Sequence, residues 1–248
     1  MELDPRFSAI ERRLSKVNNI VAVVSSKGGV GKTLVSTLLA VELARRGLKV
    51  GLLDLDVTNP TAHIVLGTSI ETLPEEEKGV VPPIVAGVKF MSVAYYAGEN
   101  PLPLRGHEIS SAIREVLTIT RWENLDYLLI DMPPGMSDEF LEVLTYIKTT
   151  QLLLITTPSI LSIVSLKRLA KLVQRKIVGI IENMTEKPSQ EVLELAEEMG
   201  TKYLGNIPYT PEIENHIGSP HKILQTPFGK ALTKIADNFL TQTKFSST

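Results

Sequence analysis

The 248-residue sequence contains no cysteine. A chain without thiols forms no disulfide, offers no thiolate to zinc, has no cysteine nucleophile and cannot hold a metal cluster through its own thiolates. Long apolar runs are also missing. No stretch approaches the roughly 18 apolar residues of a membrane-spanning helix, and the charged amino terminus is unlike a secretory signal. We therefore expect a cytoplasmic protein.

Neither sign of charge is in large excess. The chain has 26 Lys and Arg against 28 Asp and Glu, a formal charge of -2, so no global charge attracts nucleic acid or an anionic membrane. Hydrophobic residues make up 43% of the chain, which is enough to bury one large core. Since no repeat or linker interrupts the sequence, we predict a single domain over residues 1–248. It opens with a helix over about residues 4–18, which Asp4 would cap with Pro5 in its first turn.

Apolar runs alternate with stretches of helical periodicity. Six of these runs are apolar on both faces, which is typical of parallel strands covered by helices on both sides. We expect strands at 20–25, 49–54, 127–131, 152–156, 177–181 and 203–207, and helices near 32–46, 107–119, 138–147, 161–174, 189–199 and 225–242. An edge strand is expected around 89–95, within a proline-rich stretch. This order predicts a doubly wound α/β fold with a mostly parallel sheet.

The segment between the first strand and the next helix reads SSKGGVGKT over residues 25–33. Glycines allow a tight turn whose N–H groups point inward, and the helix N-terminus adds partial positive charge. Lys32 can then reach β- and γ-phosphates, and Thr33 can ligate Mg²⁺. The alternative, a turn that only joins strand to helix, would leave Lys32 without a partner. The sequence predicts a phosphate-binding loop whose nucleotide contacts are Gly28, Gly29, Val30, Gly31, Lys32, Thr33 and Leu34.

Carboxylates follow two of the predicted strands. Asp54 and Asp56 come at the carboxyl end of the second strand, where α/β sheets bind ligands. Asp131 ends another apolar run, and an acid there can hold the water shell of a magnesium ion. The N–H of Gly135, four residues later, would sense the γ-phosphate. For Asp54, a structural role as acceptor of loop N–H groups remains as open as a catalytic one.

Lys27, directly before the double glycine, adds a resemblance to a known family. KGGVGKT resembles the deviant Walker A motif, KGGxGK followed by Ser or Thr, of the ParA/MinD/nitrogenase-iron-protein group of P-loop ATPases. The resemblance implies slow hydrolysis of Mg²⁺-bound ATP by a homodimer that meets across the nucleotide site. Lys27 would cross to the phosphates of the partner subunit and act like an arginine finger.

The same resemblance implies roles for residues outside the loop. Asp56 matches the switch I aspartate that orients the attacking water and reaches the metal shell. Asn183 matches the asparagine that hydrogen-bonds adenine, although on sequence alone it is equally a turn residue, and Pro208 begins the loop that closes over the base. The predicted catalytic residues are therefore Lys27, Lys32 and Asp56, and the predicted metal site consists of Thr33, Asp56 and Asp131.

Further segments resemble the Mrp/ApbC branch of this group over most of residues 17–240. They are Leu104-Arg105-Gly106, the helix 111–117, the stretch 122–127 before Asp131, and Glu182-Asn183-Met184. Members typically carry a C-x-x-C pair shortly after the last motif, with which two subunits bridge a transferable iron–sulfur cluster. Here the chain continues through residues 185–190 into a helix. The resemblance therefore supports fold, nucleotide and dimer, and does not carry over the cluster-carrier role.

Two alternatives remain at this stage, each with an unidentified partner or client. In one, the chain is a ParA/MinD-like positioning or assembly ATPase that binds DNA, a membrane or a protein complex in an ATP-dependent way. In the other, a partner protein supplies the missing ligands of an iron–sulfur cluster. Composition favours neither nucleic acid nor membrane as the partner.

Overall fold

The computed structural model describes residues 6–97, 106–173 and 175–243. Asp4, Pro5, Leu104 and Arg105, which the sequence analysis singled out, lie outside the described residues. The strands are β1 Val17–Ser25, β2 Val50–Asp54, β3 Ile84–Val85, β4 Val88–Ser92, β5 Leu125–Asp131, β6 Gln151–Thr156, β7 Ile177–Asn183 and β8 Tyr203–Ile207. The helices are α1 Arg6–Leu14, α2 Lys32–Arg45, α3 Ala62–Leu66, α4 Ala94–Ala97, α5 His107–Ile119, α6 Asp138–Tyr146, α7 Ile160–Leu172, α8 Gln190–Glu198, α9 Pro220–Ile223 and α10 Pro227–Thr243, with a 3₁₀ turn at Pro211–His216.

The strands form one sheet in the order β3-β4-β2-β5-β1-β6-β7-β8. Every neighbouring pair is parallel except β3 and β4. The central strands are buried along almost their whole length, because helices cover both faces of the sheet. The predicted doubly wound, mostly parallel α/β architecture is confirmed.

The predicted edge strand around residues 89–95 is wrong in its position. β4 is an inner strand with Phe90 and Met91 fully buried, and it ends at Ser92. The outer position belongs to β3, which pairs antiparallel with β4. Ala86 and Gly87 both have positive φ, the conformation of a two-residue hairpin turn. This turn folds Ile84 and Val85 back along β4 and so supplies the edge.

The opening helix ends earlier than predicted. α1 ends at Leu14 instead of residue 18, and β1 begins at Val17, three residues before the predicted start of the first strand. Val17 pairs with Leu125 of β5. Because this partner lies more than a hundred residues away, local periodicity cannot locate the boundary.

The carboxyl-terminal helix α10 packs against β7, β8 and α2. Its apolar stripe, Phe228, Leu232, Ile235 and Phe239, is buried, so the stripe belongs to the core. Among the described residues, no helix is long and apolar enough to cross a membrane.

The sheet brings several polar residues to one edge. Asp54 and Asp131 are paired neighbours in the β2–β5 register, and Asp131 also pairs with Val23, two residues before the end of β1. Asn183 ends β7 at the same carboxyl edge. Parallel strands end together, so residues far apart in sequence meet at this edge.

Candidate functional site

The loop between β1 and α2 has the geometry of a phosphate cradle. Gly29 and Gly31 have φ of 79° and 80°, values that side chains rarely adopt. A Cβ on Gly31 would also lie 2.4 Å from Nδ2 of Asn183. The hydroxyl of Ser25 donates to the carbonyl of Lys27 at 2.9 Å, which holds the turn closed. Gly31 caps the N-terminus of α2, so the helix dipole points at this loop.

Directly beneath the loop lies a buried cluster around Asp131. The Lys32 ammonium donates to Oδ1 at 2.8 Å, and the Thr33 hydroxyl donates to Oδ2 at 2.7 Å. Ser36 donates to Oδ1 as well, also at 2.8 Å. Asp131 is completely buried and Lys32 is 6% exposed. Both carboxylate oxygens therefore accept charged or hydroxyl donors, which compensates the cost of burying the charge.

Asp54 is a second fully buried carboxyl group beside this cluster. Its Oδ1 accepts from the Asp56 N–H at 3.1 Å, and its Oδ2 accepts from the Ala62 N–H at 3.2 Å. Burial, together with the charge of Asp131, raises the pKa of Asp54 to about 8. The geometry is that of an acceptor for loop N–H groups, one of the two roles left open by the sequence.

Asp56 belongs to the loop that follows β2. Its Oδ1 accepts from the Thr58 hydroxyl at 2.8 Å and from the Asn59 N–H at 3.0 Å, which closes a turn. Its side chain is nearly buried but borders the open cleft above the phosphate loop.

The cleft has a volume of about 320 Å³. Its walls include most of the predicted site: Lys27, Gly28, Gly29, Val30, Gly31, Lys32, Thr33, Leu34 and Asp56. Thr58, Asn59, Thr61 and Pro134 complete the walls together with Ser25. The loop after β2 and the loop after β5 therefore face the phosphate loop across the cleft.

Four predicted residues are not in the cleft walls: Asp131, which lies buried beneath the phosphate loop, and Gly135, Asn183 and Pro208. The N–H of Gly135 donates to the Ser25 carbonyl at 2.8 Å and is therefore already engaged. Asn183 is 3% exposed, and its Nδ2 donates to the Val30 carbonyl at 2.8 Å. Pro208 follows β8 directly, and its carbonyl accepts from the Thr210 hydroxyl. In this structure Gly135 and Asn183 brace the phosphate loop from two sides.

The sequence analysis missed Ser36 as a partner of Asp131. A signal was available, because Ser36 lies three residues after Thr33 and so occupies the same face of α2. It also missed Ser162, whose carbonyl accepts from the Ser26 hydroxyl at 3.0 Å and ties α7 to the phosphate loop. No local pattern indicates this second contact, because the two residues are 136 positions apart.

The loop after β7, where the resemblance places a cysteine pair, is short and is held at both ends by hydrogen bonds. Glu182 is fully buried and accepts from the N–H and the hydroxyl of Ser189 and from the Tyr203 hydroxyl. Burial and the charge of Glu182 raise the pKa of Tyr203. Asn206 donates to the Thr185 carbonyl at 2.9 Å.

The side chains in and directly beneath the cleft fit Mg²⁺ as a bound ion and do not fit an iron–sulfur cluster. Thr33 and Asp131 place a hydroxyl and a carboxylate side by side, and oxygen ligands are what Mg²⁺ requires. An iron–sulfur cluster requires thiolates, and the sequence has no cysteine. The described part of the chain also has no group of three His, Asp or Glu side chains arranged to hold a metal ion.

Comparison with known proteins agrees with this geometry. A family model described as ParA, NUBPL iron-transfer P-loop NTPase, matches residues 16–242. The chain is 34% identical to the iron-sulfur cluster carrier protein of Saccharolobus solfataricus, over 93% of this chain and 86% of the relative. It is 32% identical to the cytosolic Fe-S cluster assembly factor CFD1 of Saccharomyces cerevisiae, over 86% and 82% of the two chains.

Solved structures show the same fold. A nucleotide-binding protein from Archaeoglobus fulgidus in complex with ADP superimposes with a TM-score of 0.71 at 28% identity, covering 94% of this chain and 92% of that one. The cell division ATPase MinD of Pyrococcus furiosus gives 0.67 at 23% identity, covering 90% and 99%. These comparisons favour the iron–sulfur branch over a ParA/MinD-like positioning role. The chain belongs to the NUBPL-type iron-transfer P-loop NTPases of the ParA family.

Proposed function

We propose that this protein is a Mg²⁺-dependent ATPase that works as a nucleotide-driven switch in iron–sulfur cluster assembly, with the cluster thiolates supplied by another protein. The observation that carries the proposal is the buried Lys32–Asp131–Thr33 cluster under a glycine-rich cradle. A phosphate loop and a metal-holding carboxylate are thereby assembled at one point.

The phosphate loop would bind the β- and γ-phosphates through backbone N–H groups and Lys32. In the structure described here Lys32 contacts Asp131, so nucleotide binding would transfer the ammonium from the carboxylate to the phosphates. Thr33 would then hold Mg²⁺ through its hydroxyl, and Asp131 would hold the water shell of the ion. When bound, Mg²⁺ neutralises charge on the phosphate oxygens.

Asp56 would orient the water that attacks the γ-phosphorus. Asp54 would act as a positioning residue, because it accepts the Asp56 N–H and anchors the loop to Ala62 at the start of α3. Gly135 would exchange its bond to Ser25 for the γ-phosphate, so that the loop after β5 responds to the nucleotide state.

Specificity for the base would come from Asn183. Its Nδ2 donates to Val30, so its Oδ1 is the end of the carboxamide suited to a base. An acceptor there matches the amino group of adenine. Pro208 would start the loop that covers the base.

The active form would be a homodimer that meets across the cleft. Lys27 lines the cleft and is partly exposed, so it can serve a second subunit as well as its own. A lysine supplied in trans would stabilise transition-state charge only in the dimer, which couples hydrolysis to association.

The iron–sulfur role rests on the named functions of the relatives and is limited by the absent cysteines. The connection between β7 and α8 also argues against a cluster on this chain. It is short, it is held by the hydrogen bonds from Ser189 to Glu182 and from Asn206 to Thr185, and it contains no thiolate-bearing insertion. The client protein would therefore carry the cluster ligands.

The test is ATP turnover per subunit as a function of protein concentration at saturating Mg²⁺. Specific activity that climbs and then saturates supports a nucleotide-driven dimer, and no turnover at any concentration contradicts the ATPase assignment. Anaerobic reconstitution with iron and sulfide provides the second arm. The purified chain should show no stoichiometric cluster absorption, and a stable cluster on this chain alone would contradict the assignment of the thiolates to a client.

A further inference from the structure

A second cavity of about 410 Å³ lies away from the phosphate loop, between α5 and the loop after β4. Its interior is apolar, with Val57, Val80, Val93 and Val116 all buried. Cavities of this size, mostly apolar and with a few polar groups, are typical of small-molecule sites.

Among the described wall residues of this cavity, the charged side chains are both acidic. Glu76 and Glu115 lie in its walls together with Tyr96, and no cationic side chain is among the described wall residues. Burial, and then the charges of Glu76 and Glu115, raise the pKa of Tyr96. Both glutamates are exposed and so lie at the mouth. An apolar interior with a doubly acidic mouth complements an apolar body that carries one cation.

The wall that carries Glu76 is held in place. Gly79 has φ of 131°, and the carbonyl of the neighbouring Lys78 accepts from Arg13 at 2.7 Å. Arg121 forms an ion pair with Glu77. These contacts fix the loop without neutralising Glu76, because their cations pair with its neighbours.

The opposite wall is continuous with the nucleotide site. Val57 directly follows Asp56, and the N–H of Val93 donates to the carbonyl of Asp54 at 3.3 Å. A molecule seated between Val57 and Val93 would therefore contact the two segments that hold the Asp54–Asp56 loop.

We propose that this cavity is an effector site for a small organic ammonium ion with an apolar body, and that its occupancy changes nucleotide affinity through Val57 and Val93. The ammonium lies between Glu76 and Glu115, and the apolar body fills the space lined by the four valines. The effect on nucleotide rests on the proposed function, whereas binding of the ammonium ion does not.

The test begins with calorimetric titration of the nucleotide-free protein with 4-phenylbutylamine, 4-phenylbutanol and 4-phenylbutanoate. The amine should bind one site per chain and about tenfold more tightly than the alcohol, and the carboxylate should bind more weakly than either. Glu76→Gln combined with Glu115→Gln should abolish the preference for the amine and retain the alcohol. Glu75→Gln, an exposed acid outside the cavity wall, is the matched control and should change nothing.

Equal affinity for amine and alcohol, or an amine affinity that the double variant does not alter, would overturn the site. Absence of saturable binding by all three molecules would overturn it as well. In a second titration, saturating amine should shift the Kd for ADP at least twofold in the unmodified chain and not in the double variant. An unchanged Kd for ADP with amine bound would overturn the effector role, while a chain that binds amine but no ADP would point to failure of the proposed function instead.

Discussion

The ammonium of Lys32 lies 2.8 Å from a carboxylate oxygen of Asp131, and both side chains are buried. Lys32 is expected to bind phosphate, but here it neutralises the residue expected to hold the metal. Without nucleotide the two groups pair with each other, and with nucleotide Lys32 would bind the phosphates while Asp131 would hold the metal. Because both side chains must exchange partners when the phosphates enter, this pair would couple nucleotide binding to conformation.

Lys32→Ala should lower stability as well as activity. The substitution leaves the Asp131 charge buried with only hydroxyl donors, from Thr33 and Ser36, at a cost of about 2–4 kcal/mol. Thermal unfolding without nucleotide measures this cost. The double variant Lys32→Ala with Asp131→Asn, which removes the unpaired charge, should recover much of it. A single variant as stable as the parent would contradict the importance of the pair, whatever its ATPase activity.

Gly31→Ala should be costlier than alanine at another glycine of similar φ. Both Gly31 and Gly47 have φ near 80°, so alanine at either position costs about 1–2 kcal/mol of backbone strain. Only at Gly31 does the new Cβ meet a neighbour, Asn183 Nδ2 at 2.4 Å, whereas nothing lies within 4 Å of the position at Gly47.

Urea unfolding of the two glycine variants isolates the steric part. Gly31→Ala should be less stable than Gly47→Ala by about 1–3 kcal/mol, as expected for overpacking. Adding Asn183→Ala to Gly31→Ala should remove that difference but not the strain. Equal losses in the two single variants would show that the contact with Asn183 has no role in stability.

The buried Asp54 predicts a loss of stability as pH rises. Burial, together with the charge of Asp131, raises its pKa from 3.8 to about 8 in the folded chain, so between these values the folded state binds more protons than the unfolded one. The stability that protonation contributes is present below pH 4 and is lost as pH rises through 8.

Denaturant unfolding of the nucleotide-free protein with EDTA, at pH 5 and pH 8, tests this prediction. Asp54→Asn mimics the protonated side chain and should become more stable relative to the parent at pH 8, by at least about 1 kcal/mol, the equivalent of one pKa unit. An exposed control, Asp237→Asn, should show no such change. The same pH dependence in parent and Asp54→Asn would assign it to other groups.

Lys27 in trans predicts that two inactive variants rescue each other. A Lys27→Ala subunit retains Asp56 in its own site but has no lysine to donate to its partner. An Asp56→Ala subunit can donate Lys27 to its partner but cannot orient water in its own site. In a mixed dimer the Lys27→Ala site receives its lysine from the Asp56→Ala subunit. An equimolar mixture should therefore reach about a quarter of parental turnover, because half of the dimers are mixed and each has one complete site.

Steady-state turnover of each variant alone and of their mixture measures this rescue. Lys27→Ala mixed with Lys27→Ala combined with Asp56→Ala is the matched control, and it should stay inactive because no subunit supplies the lysine. A mixture of the single variants no more active than their average would place Lys27 in its own subunit's site or outside the reaction.

The predicted strands and helices match the structure closely where periodicity is strong and unbroken. α5 and β5 are examples, because a helical apolar stripe specifies α5 and a continuous apolar run specifies β5. Boundaries that depend on distant partners were wrong. The start of β1 at Val17 and the inner position of β4 are fixed by pairing with β5 and by the hairpin to β3.

The sequence by itself determined the order of elements, the phosphate loop and the absence of any thiolate. Glycine spacing and apolar runs are local properties of the chain, and the absence of cysteine is a property of its composition that does not depend on the fold. The tertiary structure decided that Lys32 pairs with Asp131, 99 residues away, and that Asn183 holds Val30, 153 residues away. These contacts depend on the order and register of parallel strands, which long-range packing sets and which no short segment of the chain encodes.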